Sequence, residues 1–240
     1  ALEYGTHFLP GVDYKQPEAA IEAPLAFVGY GIHAPEFAHD DFAGIDLRGR
    51  IAVVFSGSPK KLPNHARAYY SASEQKLGSL VRRGAVGVIS IDTPEEELRV
   101  PWERKVKQAW RSRMRALDPA GEPIEDYREL RGRFAFSRPA AELLFAGAPE
   151  PYASVIAKAQ AGEPQNFELP GRVRLNTGAQ LRELSSANVL GFLPGSDPLL
   201  AQEVIVVTAH LDHIGRGLSV GSGGGDQIYN GAHDNASGIA

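Results

Sequence analysis

The sequence contains no cysteine, and this absence limits the metal sites that the chain can build. A disulfide and a thiolate zinc site are both excluded, so histidine and carboxylate side chains remain as ligands for a transition metal. Such ligand sets are typical of catalytic sites, where one coordination position stays open. The absence of cysteine does not indicate a cellular compartment.

Long apolar runs are also missing from the chain. No stretch approaches the roughly 18 apolar residues of a membrane span, so we expect none. The first residues lack the basic start and apolar stretch of a signal peptide. The chain begins at Ala1 rather than at methionine, which is typical of a mature or trimmed form.

A strong excess of charge of one sign is missing too. The formal net charge is -4 and the pI is about 6.0, so we expect no nucleic-acid partner. With 240 residues, 43% of them hydrophobic and 22% charged, the chain has the length and composition of a globular protein with one large or two modest domains.

The patterning alternates strand-like and helix-like segments, which predicts an α/β fold. Apolar β-rich runs bounded by Gly, Pro and Ser predict strands at 25–31, 51–55, 85–91, 134–136, 188–195 and 204–209. An alternating pattern predicts a half-exposed strand at 170–177. Helical spacing and caps predict helices at 71–83, 137–145 and 151–161.

Residues 94–115 are rich in Glu, Lys and Arg. Trp102, Val106, Trp110 and Met114 are spaced four apart, as on one narrow face of a helix. We expect a solvated helix whose tryptophans pack onto the neighbouring core. The six basic residues at 104–115 leave a second interpretation open, a lid or a docking surface.

Asp40 and Asp41 form an acidic pair, and three histidines are scattered in the same part of the chain. Paired carboxylates hold cations or transfer protons at some sites. Between Ala38-His39 and a predicted turn, we expect this pair to be a solvated loop and helix cap. We likewise expect His33, His39 and His65 to lie at the surface or in local hydrogen bonds.

The last forty residues carry the strongest chemical pattern. His210 follows the predicted strand at 204–209, and ligands in α/β sheets bind outside the carboxyl ends of strands. Asp212 lies two residues on, where an extended chain places it on the same side as His210. Asp234 follows a loop rich in Gly, Ser and Asn. The residues alone are compatible with half of a metal site or with a hydrogen-bonded pair at a loop edge.

Ala209-His-Leu-Asp-His213, Gly225-Asp226, Asn230-Gly-Ala and Asp234-Asn-Ala-Ser-Gly238 together resemble the zinc aminopeptidases of the aminopeptidase Y family. Bacterial leucyl aminopeptidases, glutamate carboxypeptidase and the transferrin receptor belong to the same wider group. The resemblance implies two Zn²⁺ ions about 3.5 to 4 Å apart that activate a water for attack on the first peptide bond of substrates with a free N-terminus.

The resemblance also implies a role for each matching residue. His210 matches an imidazole zinc ligand, Asp234 the bridging carboxylate ligand, and Asp212 the carboxylate that orients His210. His213 and His233 are not ligands in the pattern. The peptide bond after Asp234 is often cis in the family.

The family pattern continues beyond what this sequence holds. A Glu-Glu pair, which gives the general base and a ligand, and then an Asp and a His are expected further on, and the sequence ends at Ala240 before any of them. We therefore expect an N-terminal part of a metallo-exopeptidase that is inactive alone. The alternative is a non-catalytic, receptor-like binding protein on the same scaffold.

A second resemblance concerns the earlier part of the chain. Phe27-Val-Gly-Tyr-Gly-Ile32, Asp40-Asp-Phe-Ala-Gly44 and Gly84-Ala-Val-Gly-Val-Ile89 are similar to the protease-associated domain. This implies a lead-in at 1–23, a β-rich protease-associated domain with helices at 24–168, and the incomplete start of a mixed or parallel-sheet zinc-peptidase domain at 169–240. Export of related bacterial enzymes implies a periplasmic or secreted location.

Overall fold

The computed structural model describes residues 2–15, 17–124, 127–216 and 227–239, and it divides the chain into two units. Unit 1 spans Ala1–Glu183 and unit 2 spans Leu184–Ala240. The predicted boundary at 168/169 lies within a strand of unit 1. No helix in the described ranges has the length and apolarity that crossing a bilayer requires.

Unit 1 is built from strands and helices in alternation. Its strands are β1 (Phe8–Pro10), β2 (Glu18–Val28), β3 (His33–Ala34), β4 (His39–Asp40), β5 (Ile51–Phe55), β6 (Gly87–Ile91), β7 (Arg133–Phe136) and β8 (Asn166–Gly178). Its helices are α1 (Asn64–Ser71), α2 (Ser73–Arg82), α3 (Pro94–Arg99), α4 (Trp102–Gln108), α5 (Arg138–Leu144) and α6 (Tyr152–Ala161), with a 3-10 turn at Pro35–Phe37.

A six-stranded mixed sheet in the order β1-β7-β6-β5-β2-β8 organises unit 1. The four central strands run parallel, while β1 and β8 pair antiparallel at the two edges. The mixed α/β architecture that the patterning predicted is therefore present. Residues 1–23, predicted as a lead-in, supply β1 and the beginning of β2 to this same sheet.

The centre of the sheet is buried on both faces, as β5 shows, since alternate residues of a strand point to opposite sides. Every residue of β5 is buried: Ile51, Val53 and Phe55 join the core beneath α5 and α6, while Ala52 and Val54 face α2. A continuous apolar run is what a central parallel strand requires, and this explains why the prediction at 51–55 is confirmed.

The helix predictions at 71–83, 137–145 and 151–161 are confirmed. The α5 helix begins after Ser137, whose hydroxyl accepts from Ala140 N at 3.5 Å. The α6 helix ends at Gly162, which has a left-handed φ of 79° that glycine adopts without a Cβ clash.

The prediction for residues 94–115 is only partly confirmed. The segment forms two short helices, α3 and α4, that are separated at Pro101, because proline lacks the N–H that a continuous helix needs. Trp102 is half-buried and its indole N–H donates to Gly5 O at 2.7 Å. Trp110 is 73% exposed, so the expectation that both tryptophans pack onto the core is wrong.

The expected solvated position holds in part for Asp40 and is wrong for Asp41. Of the histidines, which we expected at the surface or in local contacts, His33 and His65 are exposed, while His39 is buried beside Asp41. Asp41 and His39 are each 1% exposed. Asp41 is drawn inward because its carboxylate accepts from Tyr30 N and Ile32 N, each at 3.0 Å. His39 Nε2 lies 3.1 Å from Asp41 Oδ1.

Unit 2 contains β9 (Gly215–Arg216), β10 (Ile228–Tyr229) and a 3-10 turn at Ala236–Gly238 among its described residues. The strands predicted at 188–195 and 204–209 are absent there, so these predictions are wrong. Ile205 is 93% exposed and Val207 is 87% exposed. A buried strand needs backbone partners at its edges and apolar layers on its faces, and no described segment of unit 2 supplies them.

Candidate metal centre

A short antiparallel ladder in unit 2 brings the two halves of the predicted site together. β9 pairs with β10 through Arg216↔Ile228 and Gly215↔Tyr229. His210 lies just before β9 and Asp234 just after β10, so the pairing places the two side chains on neighbouring segments. Gly225 and Asp226 of the sequence pattern, and Ala240, lie outside the described residues.

Close packing around two glycines fixes this arrangement. Gly231 has a φ of 67°, and a Cβ there would lie 2.6 Å from His213 Cβ, so a larger residue would separate the segments. A Cβ on Gly238 would lie 3.0 Å from Ala209 Cβ. The small residues after Asp234 thus permit the close approach that their size predicted.

The 3-10 turn after Asp234 is held by its own polar side chains. Asn235 Oδ1 accepts from Gly238 N at 3.0 Å, and Ser237 Oγ donates to His233 O at 3.1 Å. The peptide bond between Asp234 and Asn235 is cis, so the expectation from the family resemblance is confirmed.

His210 lies between the two aspartates. Its Nδ1 is 2.6 Å from Asp212 O and 3.5 Å from Asp212 Oδ1, while its Nε2 is 3.3 Å from Asp234 Oδ1. The hydrogen bond to the Asp212 carbonyl and the facing Asp234 carboxylate raise the pKa of His210 above its usual value. Asp212 therefore holds the ring chiefly through its backbone carbonyl, and its carboxylate lies farther away.

The chemistry of the ring defines what this pair can bind. If Nδ1 carries the proton that Asp212 O accepts, neutral Nε2 presents a lone pair to an Asp234 oxygen. Two acceptors that face each other are stabilised by a proton or by a cation. The donor types and their orientation thus fit a Zn²⁺ ion.

The number of ligands does not complete a zinc shell. A catalytic zinc takes three protein ligands, and the described residues contain no group of three or more His, Asp or Glu that could hold a metal. His213 packs against Gly231 and near the Tyr229 ring, and His233 contributes its carbonyl to Ser237. His210 and Asp234 alone therefore do not supply the ligands of a hydrolytic zinc site.

The segment that holds the pair has a recognisable sequence. Residues 188–240 match Peptidase family M28. This M28-matching segment includes His210, Asp212 and Asp234, and all of it lies within unit 2. No curated protein sequence matches the chain.

Solved structures give one further comparison. An aminopeptidase from Aneurinibacillus sp. strain AM-1 is 16% identical, with a TM-score of 0.28. The alignment covers 74% of this chain and 33% of that chain, so the present chain spans about a third of that aminopeptidase's length.

Sequence patterns missed other polar groups, all of them in unit 1. Asp41, His39 and Lys76 are buried, although side chains of these types are mostly exposed. Asp41 belongs to a block that is similar to the protease-associated domain, and His39 and Lys76 belong to none of the quoted blocks. One signal was available for Asp41: Gly29 has a φ of 47°, and a Cβ there would lie 2.5 Å from Asp41 Oδ1. Glycines at 29 and 31 thus mark the backbone turn that Asp41 binds.

Proposed function

We propose that this chain is part of a metallo-exopeptidase that removes the N-terminal residue of peptides with Zn²⁺ as cofactor. The observation that carries the proposal is the contact between His210 Nε2 and Asp234 Oδ1 inside the M28-matching segment. In this proposal His210 and Asp234 bind metal and Asp212 positions the His210 ring. Retention of all three residues argues against a non-catalytic receptor.

Further ligands and a general base are needed for this activity, and we propose that the 240-residue chain alone does not hydrolyse peptides. One imidazole and one carboxylate hold zinc weakly compared with a three-ligand shell. Peptides with a free amino terminus are the proposed substrates, and a periplasmic or secreted location is proposed from the family resemblance.

We also propose that residues 24–168 form an inserted protease-associated domain. The pairing of β2 with β8 supports this proposal, since Ala23 pairs with Val173 and Pro24 with Arg172, with a register shift directly after Pro24. The chain therefore enters and leaves the central part of unit 1 at adjacent points, which is what an inserted domain needs.

Hydrolysis of an aminoacyl chromogenic substrate tests the proposed activity. A parent protein that includes this chain and the missing ligands should cleave the free-amino substrate but not its acetylated form, and chelation should abolish cleavage. Asp212→Asn should lower kcat/KM by less than the roughly 10- to 100-fold that loss of a ligand's supporting partner costs, because the backbone carbonyl that holds the His210 ring is kept. His210→Ala and Asp234→Ala should lower kcat/KM further, because each removes a proposed metal ligand.

The 240-residue chain alone should give no turnover in the same assay. Turnover that a chelator abolishes would contradict the proposal that the chain alone has too few zinc ligands for hydrolysis. Undiminished activity of the parent His210→Ala variant would contradict the assigned site.

A further inference from the structure

A cleft of about 830 Å³ opens on one face of the unit 1 sheet, far in sequence from His210 and Asp234. Its floor includes Val54, Val88, Ser90 and Ala135. Val54 and Val88 belong to the core cluster beneath α2, whereas Ser90 and Ala135 are half-buried. Small side chains on this part of the sheet leave a depression that larger ones would fill.

Cations surround this floor. They come from four of the helices and strands and from the segment after α4: Lys76, Arg99, Lys105, Arg111, Arg113, Arg115 and Arg133. Asp92 and Glu96 are the acidic residues of the lining, so seven basic side chains and two carboxylates leave an excess of five positive charges when Lys76 is protonated. The chain as a whole has a net charge of -4, so the cleft concentrates charge of the opposite sign.

Both carboxylates of the lining are already engaged. Asp92 accepts a hydrogen bond from Lys105 Nζ, and Glu96 forms an ion pair with Arg99 at 2.8 Å. The two carboxylates therefore neutralise Lys105 and Arg99 and leave five of the seven basic side chains of the lining without a partner among these two carboxylates.

Three of the remaining cations have no ion-pair partner among the described residues: Lys76 on α2, and Arg111 and Arg113 in the segment after α4. Lys76 is 7% exposed, and its Nζ donates to Phe55 O at 2.8 Å. Burial lowers the pKa of Lys76 to about 7, so an anion beside it would favour the ammonium form, whose three donors leave capacity beyond the bond to Phe55 O.

We propose that this cleft binds an acidic peptide segment, with its carboxylates at Lys76, Arg111 and Arg113 and its apolar side chains on the sheet floor. The volume suits a ligand of several groups rather than one small anion, since sites for drug-sized ligands measure about 300 to 1,000 Å³. Cations on separate elements around an apolar floor favour a ligand that carries several charges along a partly apolar chain. The site is independent of the proposed peptidase activity.

The test uses a fluorescein-labelled peptide of alternating Glu and Leu, acetylated and amidated so that an exopeptidase cannot act on it. Fluorescence anisotropy with the 240-residue chain should show saturable binding that weakens with added salt. Arg111→Glu/Arg113→Glu should weaken binding at least tenfold. Lys76→Met, on another wall, should weaken it several-fold.

The matched control is Arg104→Glu/Lys107→Glu, which makes the same charge change at exposed cations of α4 outside the lining. This control variant should bind the Glu-Leu peptide with an affinity within about twofold of that of the wild-type chain. Equal weakening by both double variants would overturn the proposal in favour of general attraction to a basic segment. A Gln-Leu peptide that binds equally well, or displacement by inorganic phosphate at the peptide's own concentration, would also overturn it.

Discussion

Lys76 is a buried residue of unit 1 whose charge state changes near neutral pH. Burial lowers its pKa from the usual 10.5 to about 7, although the carboxylates of Asp41 and Glu96 act in the opposite direction. Between pH 7 and 10.5 the unfolded chain therefore binds a proton that the folded chain lacks. The free energy of unfolding should rise with pH through this window, by about 1 kcal/mol per pH unit from this group alone.

Lys76→Met should remove that rise, because methionine does not titrate. Urea unfolding at pH 6, 7, 8 and 9 measures it, and the fluorescence of Trp102 and Trp110, both in unit 1, reports the transition. Lys107→Met, at an exposed lysine of α4, should keep the wild-type slope. Identical slopes for wild type and Lys76→Met would show that Lys76 does not titrate in this range.

At the scale of elements, a cluster of aromatic rings joins the strands of unit 1 to the helical layer. The Phe27 ring of β2 lies 5.1 Å from Phe55 of β5, 5.2 Å from Phe145 at the end of α5, and 5.3 Å from Phe167 of β8, measured between centroids. Phe27→Ala should lower the free energy of unfolding by about 3 to 5 kcal/mol, because it leaves a cavity that four elements share.

Leu143→Ala is the control for that measurement. Leu143 is 60% exposed on α5, so its truncation should change the free energy of unfolding by less than about 0.5 kcal/mol. A loss below about 1 kcal/mol for Phe27→Ala in the same urea experiment would contradict the role of the ring cluster.

At the level of the whole molecule, a segment adopts the structure that its sequence pattern predicts where the folded chain supplies the neighbours that the pattern requires. The apolar run at 51–55 becomes a central strand because neighbours flank it on both sides. The similar run at 204–209 stays exposed. An apolar pattern indicates that a segment can pack in a sheet, but the described structure supplies no strand or helix for this run to pack against.

The same distinction applies to the functional residues. The sequence predicted His210 and Asp234 as site residues because both lie inside short blocks that resemble a known family. The cleft of unit 1 was not, since its cations come from elements that only the folded sheet brings together. The charged segment at 94–115 left a docking surface open as an interpretation. The sequence did not indicate the floor of the cleft, because its residues come from three separate strands.

We propose that His210 and Asp234 bind a metal ion together. A Zn²⁺ titration of the 240-residue chain, followed by NMR of the histidine ring nitrogens, tests this proposal and detects weak binding. The His210 Nε2 signal should shift with Zn²⁺, Asp234→Ala should suppress the shift, and His213→Ala should preserve it. A response at His213 or His233 with none at His210 would contradict the proposal.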